Sequence, residues 1–405
     1  MVGLPLCAAI GCVGAGPIVA TQTESSGDGD PTTQTTGDPT TGDGEPDDTT
    51  DTDSDSETGL TCGEVSFEPA YTPPNVMLVL DASGSMVASS WDHDLDAQTP
   101  DVTRWRSLHD VVTSVLAPFG PTTLAGVQRF PSADACPDAT LQSPNCDSAD
   151  ACIVGAAPEV GAALDNGAAI LAALPGPDAD SVEIVGATPA SAAIRSTVEH
   201  LTSLGGDNPS YILLITDGAA NCTPGLQVPA LLEDYDETLP TTVEAAYQDD
   251  GITTYVVGVD IVDALVGVGV DGLPEANPFA RLNDVAVAGG APKNGGVDAE
   301  KFFNATNQGE LLTAVSTILD AITECTIDLE LAEFGPPDRP QVDYVEFTVD
   351  GQVIPGPLSA EECATMDGWA WSVEHTEVIL CGVYCGQFER GEGAFEGAYG
   401  CPPNP

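Results

Sequence analysis

Positively charged residues are scarce in this chain. Its 405 residues include 9 Lys and Arg against 64 Asp and Glu, and the net charge is −55. No Lys or Arg precedes Arg104. Such an acidic surface repels phosphate backbones and anionic lipid headgroups, so the composition excludes nucleic-acid binding and polybasic attachment to membranes. The excess of acid is typical of proteins that work in salt- or calcium-containing surroundings, and equally of proteins that use charge only for solubility.

Recognisable enzyme motifs are missing as well. The chain has 4 histidines at scattered positions, and it contains no Gly-x-Ser-x-Gly motif, His-Glu-x-x-His motif or phosphate-binding glycine loop. Ser83 lies in a glycine-containing turn after an apolar run, which is superficially the position of a nucleophile. Because Asp81 stands two residues earlier and no histidine is placed to activate Ser83, the pattern favours a metal-ligand role. The sequence therefore predicts a protein that is not an enzyme.

The N-terminal part has no apolar run long enough for a stable membrane span. Residues 1–20 are apolar but short and rich in glycine. Within them, Ala9-Ile10-Gly11-Cys12 is similar to a bacterial lipobox, which predicts a lipoprotein; a plain cleaved signal peptide is the alternative. Residues 21–61 are rich in Thr, Gly, Asp, Ser and Pro and cannot bury enough apolar surface to offset their ordering entropy. They are predicted to form a disordered acidic linker.

The chain has 12 cysteines but no Cys-x-x-Cys pair. This pattern predicts disulfides and an exported protein in an oxidising compartment. Without Cys7 and Cys12, ten cysteines remain, which is an even number. A cysteine-ligated zinc is the weaker alternative, because short paired spacings and neighbouring histidines are missing.

Polar side chains follow two apolar runs at the points where predicted strands end. The run 76–80 predicts a strand buried on both faces, and Asp81, Ser83 and Ser85 follow it at alternate positions. A second apolar run, 211–215, leads into Asp217, and residues 186–190 form a turn that opens a helix. Open α/β sheets bind ligands at the carboxyl ends of their strands, and these oxygen donors suit a small divalent cation such as Mg²⁺.

Taken in order, these motifs resemble the von Willebrand factor type A domain and its metal-ion-dependent adhesion site. The resemblance covers residues 74–324. It implies a bound Mg²⁺, Mn²⁺ or Ca²⁺ ion and a partner protein that supplies an Asp or Glu carboxylate to that ion. The metal ligands it implies are Asp81, Ser83, Ser85, Thr188 and Asp217. The chain as a whole resembles secreted A-domain proteins of Gram-negative bacteria, which adds an architecture but no activity.

The order of the predicted elements indicates the fold class. Strands alternate with helices over residues 62–324, which predicts an α/β, doubly wound, mostly parallel sheet covered on both faces. Residues 325–405 have no helical periodicity and carry short strand patterns, with Asp350-Gly351 as a hairpin turn. They are predicted to be a small cysteine-rich β domain. The helices are predicted at 103–119, 165–174, 189–204, 241–248, 279–288 and 310–324.

The resemblance also bears on the disulfides. A-type domains bring their termini together, which implies a Cys62–Cys325 bridge. Two further bridges are then expected among loop cysteines, one of them pinning Cys222 to the insertion 131–157. The loop cysteines are Cys136, Cys146, Cys152 and Cys222, and those expected to staple the C-terminal domain are Cys363, Cys381, Cys385 and Cys401.

The function implied by the resemblance is a cell-surface, cation-dependent adhesion or protein-binding module. A structural subunit of an envelope or surface assembly, whose ion only neutralises a polar loop cluster, is the alternative. Asp92, Asp94 and Asp96 have the spacing that starts a calcium-binding loop, although Ala97 stands where an EF-hand has glycine. They predict either an accessory Ca²⁺ site or an acidic rim that influences partner choice. Contact with a membrane is expected only through an N-terminal lipid anchor.

Overall fold

The computed structural model describes residues 65–88, 90–141, 146–206, 208–270, 272–323, 325–328, 345–372 and 377–399. The predicted signal segment and linker lie outside these residues, as do Cys62 and Cys401. Within the described ranges, every helix is too short or too polar to cross a membrane.

Strands of the described residues form four sheets, of which the largest has six strands. In chain order the strands are β1 (Val65–Phe67), β2 (Asn75–Asp81), β3 (Ser90–Trp91), β4 (Val102–Thr103), β5 (Leu124–Phe130), β6 (Val160–Ala163), β7 (Ser210–Thr216), β8 (Thr253–Val259), β9 (Phe303–Ala305), β10 (Thr326–Asp328), β11 (Val345–Val349), β12 (Gln352–Val353), β13 (Gly368–Trp371), β14 (Glu377–Cys381) and β15 (Phe395–Tyr399).

Helices of the described residues connect most of the strands in the large sheet. They are α1 (Ser85–Ala88), α2 (Arg104–Phe119), α3 (Gly167–Ala173), α4 (Ala190–Leu204), α5 (Ala230–Glu233), α6 (Thr238–Asp250), α7 (Pro278–Ala288), α8 (Gln308–Ile322), α9 (Ala360–Cys363) and α10 (Val383–Glu389), with 3₁₀ turns at Ala149–Cys152 and Lys293–Gly296.

The large sheet has the order β6-β5-β2-β7-β8-β9 and is parallel except for β6. After β2 the chain moves to β5 on one side, and it later returns to β7 on the other side of β2. The strand order therefore reverses between β2 and β7, which is where doubly wound sheets open a crevice for ligands. The predicted fold class, a doubly wound and mostly parallel α/β sheet, is confirmed.

Alternate residues of β2 enter two separate cores, which explains its continuous apolar sequence. Val76, Leu78 and Leu80 pack into the core beneath α2 and α8. Met77 and Val79 enter the core on the opposite face, to which α4, α6 and α7 contribute. With helices on both faces, β2 is buried along its whole length.

Most predicted helices agree with the structure to within a few residues, but α6 extends further than the predicted 241–248. It begins at Thr238, because the backbone N and the hydroxyl of Thr238 donate hydrogen bonds to the buried Asp236 carboxylate at 3.0 and 2.6 Å. It ends at Asp250, since Gly251 adopts a left-handed conformation with φ 67°. Strands β1, β3, β4, β6, β9 and β15 were not predicted. All of these except β15 have at most four residues, which is too few for a clear periodicity.

The C-terminal residues form a small β unit with its own core, as predicted, but the unit also contains two short helices, α9 and α10. A capping box at Ser359 and Glu362 starts α9, and a segment this short shows no helical period in the sequence. The unit also includes β1, which pairs antiparallel with β15 although it belongs to the predicted range 62–324. Tyr71 connects the units: its hydroxyl donates to the Thr122 carbonyl at 3.0 Å and its ring packs on Phe388.

Four disulfides join described cysteines. Cys136–Cys146 and Cys152–Cys222 confirm the two predicted loop bridges, and Cys363–Cys381 lies within the C-terminal unit. The predicted Cys62–Cys325 bridge is wrong, because Cys325 is bonded to Cys385. After α8 the chain leaves the large sheet. It enters β10 in the C-terminal unit, where α10 brings Cys385 to a Cα–Cα distance of 5.4 Å from Cys325.

Candidate functional site at the carboxyl edge of the sheet

Two aspartates meet where the neighbouring strands β2 and β7 end. Leu80 is paired with Ile215 in the parallel ladder, so Asp81 and Asp217 emerge at the same edge of the sheet. Both carboxylates are buried. Asp81 accepts hydrogen bonds from the Ser83 backbone N at 2.8 Å and from the Thr216 hydroxyl at 2.5 Å, which fix its orientation.

The two predicted serines connect these aspartates. Ser83 Oγ lies 2.9 Å from Ser85 Oγ, and Ser85 Oγ donates to Asp217 Oδ1 at 2.6 Å. Ser85 is the first residue of the short helix α1, so the turn that follows β2 directs both hydroxyls toward β7. The structure thus brings four of the five predicted side chains, Asp81, Ser83, Ser85 and Asp217, into one connected cluster.

Thr188, the fifth predicted residue, lies in the adjoining loop. The Gly84 backbone N donates to the Gly186 carbonyl at 3.1 Å, which holds that loop against the serine turn. Asn221 fixes Thr188 in turn: its side-chain oxygen accepts from the Thr188 backbone N at 2.8 Å, and its own backbone N donates to the Thr188 carbonyl at 3.1 Å. Sequence reasoning missed Asn221, whose only signal is that it follows Asp217 closely in a polar loop.

Arg104 is the second residue that sequence reasoning missed. Its Nη1 lies 3.0 Å from Asp217 Oδ2, and its Nη2 lies 2.6 Å from Asp260 Oδ2. Asp217 therefore uses one oxygen for Ser85 and the other for Arg104. Because Arg104 begins α2 and Asp260 follows β8, elements far apart in the chain meet at this site.

The electrostatics of the cluster favour a cation. Burial, and then the negative charge of Asp217, raise the pKa of Asp81 to about 7. Burial also raises the pKa of Asp217, while the Arg104 guanidinium and the Ser85 hydroxyl oppose that rise. Two buried carboxylates with neutral hydroxyls beside them form the hard-oxygen donor set that suits Mg²⁺ or Mn²⁺. The residues present therefore fit a divalent cation, with Asp81, Ser83, Ser85, Thr188 and Asp217 as its candidate ligands.

The other predicted metal sites receive no such support. The Asp92, Asp94 and Asp96 carboxylates do not converge on one point; instead, Asp94 accepts from the Asp96 backbone N and the Thr99 hydroxyl, which holds a local turn. Among the described residues, one group of three His, Cys, Asp or Glu side chains has metal-like spacing, and it contains Cys325 and Cys385. A disulfide joins these two sulfurs, so they are not zinc ligands.

We expect Asn221→Ala to weaken the site without unfolding the chain. The change removes the acceptor of the buried Thr188 N and the donor to the Leu232 carbonyl, so the free energy of unfolding should fall by about 2 kcal/mol. Because Thr188 loses its support, Mn²⁺ affinity should fall about tenfold.

Chemical denaturation and isothermal titration with Mn²⁺ measure the two effects. Asn208→Ala is the matched control, since it also removes an amide hydrogen bond to a carbonyl, that of Pro73 at the opposite edge of the sheet. It should lower stability and leave Mn²⁺ affinity unchanged. Equal Mn²⁺ affinities in the two variants would contradict a positioning role for Asn221.

Comparisons with known proteins give low similarities only. No protein-family model matches the chain, and no curated protein matches it. Among solved structures, the pilus adhesin SpaC from Lactobacillus rhamnosus GG is 12% identical with a TM-score of 0.43, over 83% of this chain and 41% of the adhesin. This chain thus spans about two fifths of that adhesin's length.

Two further solved structures match a smaller share of the chain. A conserved hypothetical protein, BatB from Bacteroides thetaiotaomicron, is 15% identical with a TM-score of 0.37, over 62% of this chain and 98% of BatB. Manganese-loaded TRAP protein from Plasmodium vivax is 13% identical with a TM-score of 0.35, over 64% of this chain and 78% of that protein.

Proposed function

We propose that this chain is a cell-surface binding module that captures another protein through a divalent cation, and that it is not an enzyme. The observation that carries the proposal is the connected cluster at the ends of β2 and β7. There, the Ser83 backbone N donates to Asp81 at 2.8 Å, the Ser83 and Ser85 hydroxyls lie 2.9 Å apart, and Ser85 donates to Asp217 at 2.6 Å. Thr188 stands in the loop next to them.

Each residue has a separate role in the proposal. Asp81 and Asp217 supply two negative charges, which match the charge of a divalent cation, while Ser83, Ser85 and Thr188 supply neutral oxygens. A divalent cation held there would offer an open coordination position to an Asp or Glu carboxylate of the partner. Ser85 is partly exposed, which lets a partner reach the cluster, and the hydrogen bonds from Ser83 and Thr216 keep Asp81 oriented before binding.

The proposed location is outside the cytoplasm. The disulfides among the described residues support an oxidising compartment, because such bonds are rare in reducing cytosol. Lipid attachment at Cys12 is part of the proposal. Mass spectrometry of the mature N-terminal peptide tests it. An acylated cysteine in that peptide would establish it.

The test is a crosslinking pull-down on intact cells, with Mg²⁺ or with chelator, using wild type and Asp81→Ala. We expect capture in Mg²⁺, and at least a tenfold loss both in chelator and in Asp81→Ala. Asp249→Ala is the matched control, since this exposed carboxylate lies near the end of α6, just before β8 begins and thus at the opposite edge of the sheet from the cluster. It should capture like wild type.

A chelator-resistant complex that still contains Asp81→Ala would contradict the proposal. That outcome would indicate permanent assembly with a fixed neighbour, as for a structural subunit of the envelope. It would leave the cluster with a purely structural role.

A further inference from the structure

The position of Arg104 needs an explanation beyond helix formation. It is the first residue of α2, after the N-cap Thr103, whose hydroxyl accepts from the Arg106 N at 3.2 Å. The N-terminus of a helix carries partial positive charge, so an arginine is unfavourable there unless nearby carboxylates compensate. The Arg104 side chain is only 19% exposed, and its Nε is buried without a hydrogen-bond partner.

Its two carboxylate partners supply that compensation. Arg104 contacts Asp217 and Asp260 through separate nitrogens, so one guanidinium bridges the loops that follow β7 and β8. Asp217 is a candidate metal ligand, whereas Asp260 was not predicted to belong to the site. One oxygen of Asp217 accepts a hydrogen bond from the guanidinium, and the other accepts one from the Ser85 hydroxyl.

The charge balance has a consequence for ligand choice. Asp81, Asp217 and Asp260 carry three negative charges, which a divalent cation alone would not balance. With Arg104 added, cation and guanidinium together balance them. A partner's carboxylate then meets a locally neutral site, although the whole chain carries a net charge of −55. Without Arg104 that carboxylate would meet an excess negative charge at a largely buried cluster, where Coulomb interactions are stronger than in water.

We infer that Arg104 sets the charge preference of the proposed site: it weakens the hold on the cation and strengthens the binding of a carboxylate-bearing ligand. The inference rests on the proposed function, and it makes Arg104 a specificity-determining residue. This role differs from that of a residue that only holds the two loops together. Loss of a contact that only holds the loops in place would weaken the binding of both cation and carboxylate. Loss of Arg104 is instead expected to shift the two affinities in opposite directions.

The experiment uses Mn²⁺ and fluoroacetate as probes on the purified protein. Titration calorimetry gives the Mn²⁺ affinity, and paramagnetic broadening of the fluorine NMR signal reports fluoroacetate bound beside Mn²⁺. For Arg104→Gln we expect Mn²⁺ affinity to rise about tenfold and fluoroacetate affinity to fall at least about fivefold. Arg104→Lys keeps the charge, so it should retain most of the fluoroacetate binding.

Arg106→Gln is the matched control. It removes the same charge from the same helix, but its guanidinium pairs with the exposed Asp178 and does not contact the cluster. Both affinities should stay at the wild-type values. Asp260→Asn is the reciprocal variant at a partly exposed position, and it should bind Mn²⁺ more weakly and fluoroacetate more tightly.

The outcomes distinguish this inference from the proposed function. Wild type that binds no Mn²⁺ would overturn both. Wild type that binds Mn²⁺ and fluoroacetate, with Arg104→Gln identical to Arg106→Gln, would overturn the role of Arg104 alone. A fall in both affinities for Arg104→Gln, with unchanged affinities in Asp260→Asn, would also overturn it and indicate a structural bridge.

Discussion

Raising the pH of the metal-free protein from about 3 to about 8 is expected to lower its free energy of unfolding by about 4 kcal/mol through Asp81. Burial and the charge of Asp217 raise the pKa of Asp81 from 3.8 to about 7. The folded state therefore favours the protonated acid. The stabilisation is complete below the ordinary value of 3.8, is lost as the pH rises toward about 7, and does not change further above that value.

A divalent cation should reverse this loss. It competes with the proton for Asp81, so its affinity rises as the pH increases toward about 7. At pH 8, Mg²⁺ at one hundred to one thousand times its dissociation constant should restore about 3 to 4 kcal/mol. Urea denaturation at several pH values, with chelator or with Mg²⁺, measures both effects.

Asp81→Asn is the control for this prediction. Its neutral amide imitates the protonated acid in size, so the variant should lack both the Asp81 part of the pH dependence and the response to Mg²⁺. The other acidic residues titrate in both proteins, so the difference between the two curves gives the contribution of Asp81 together with its coupling to Asp217. Parallel curves for wild type and variant would contradict the prediction that the buried Asp81 carboxylate links stability to pH and to Mg²⁺.

Removing the Cys152–Cys222 disulfide is expected to cost about 4 kcal/mol of stability, because it closes a loop of 70 residues. The bond also holds the loop in which Asn221 positions Thr188. We therefore expect Cys152→Ser/Cys222→Ser to lose Mn²⁺ affinity as well, by at least about tenfold. Thermal and chemical denaturation give the first quantity, and calorimetry gives the second.

The Cys363–Cys381 bridge provides the matched comparison. It spans 18 residues within the C-terminal unit, so Cys363→Ser/Cys381→Ser should cost about 3 kcal/mol. Its Mn²⁺ affinity should equal that of wild type, since neither sulfur lies near the strand ends that carry Asp81 and Asp217. Equal losses of Mn²⁺ affinity in both double variants would mean that the loop bridge acts only through global stability.

Sequence patterns predicted the parts of the site that local order encodes. Asp81 and Asp217 each follow an apolar run, and parallel strands bring such residues to one edge of the sheet. Arg104 carries no local sign of its role, because its contacts lie 113 and 156 residues further along the chain. Asn221 was missed for a similar reason: it acts through the backbone of Thr188, which is 33 residues away.

The C-terminal unit marks the limit of the family resemblance. The expected Cys62–Cys325 bridge assumed that the doubly wound part closes on its own ends. Instead, β1 leaves that part to pair with β15, and Cys325 is buried in the C-terminal core. The sequence indicates the longer strands of the large sheet, but pairing between distant strands depends on long-range register that short patterns do not encode.

The position of β2 determines how the protein would bear tension. Its carboxyl end holds Asp81. At the opposite edge of the large sheet, its amino end is connected through Tyr71 to β1, which belongs to the sheet of the C-terminal unit. Under the proposed function, a pull between a captured partner and the chain before Val65 would enter the sheet through Asp81 in β2 and Asp217 after β7, and would leave it through the amino end of β2. The ladders to β5 and β7 on either side would be loaded in shear, while the flanking helices and the 363–381 bridge would carry little of the force.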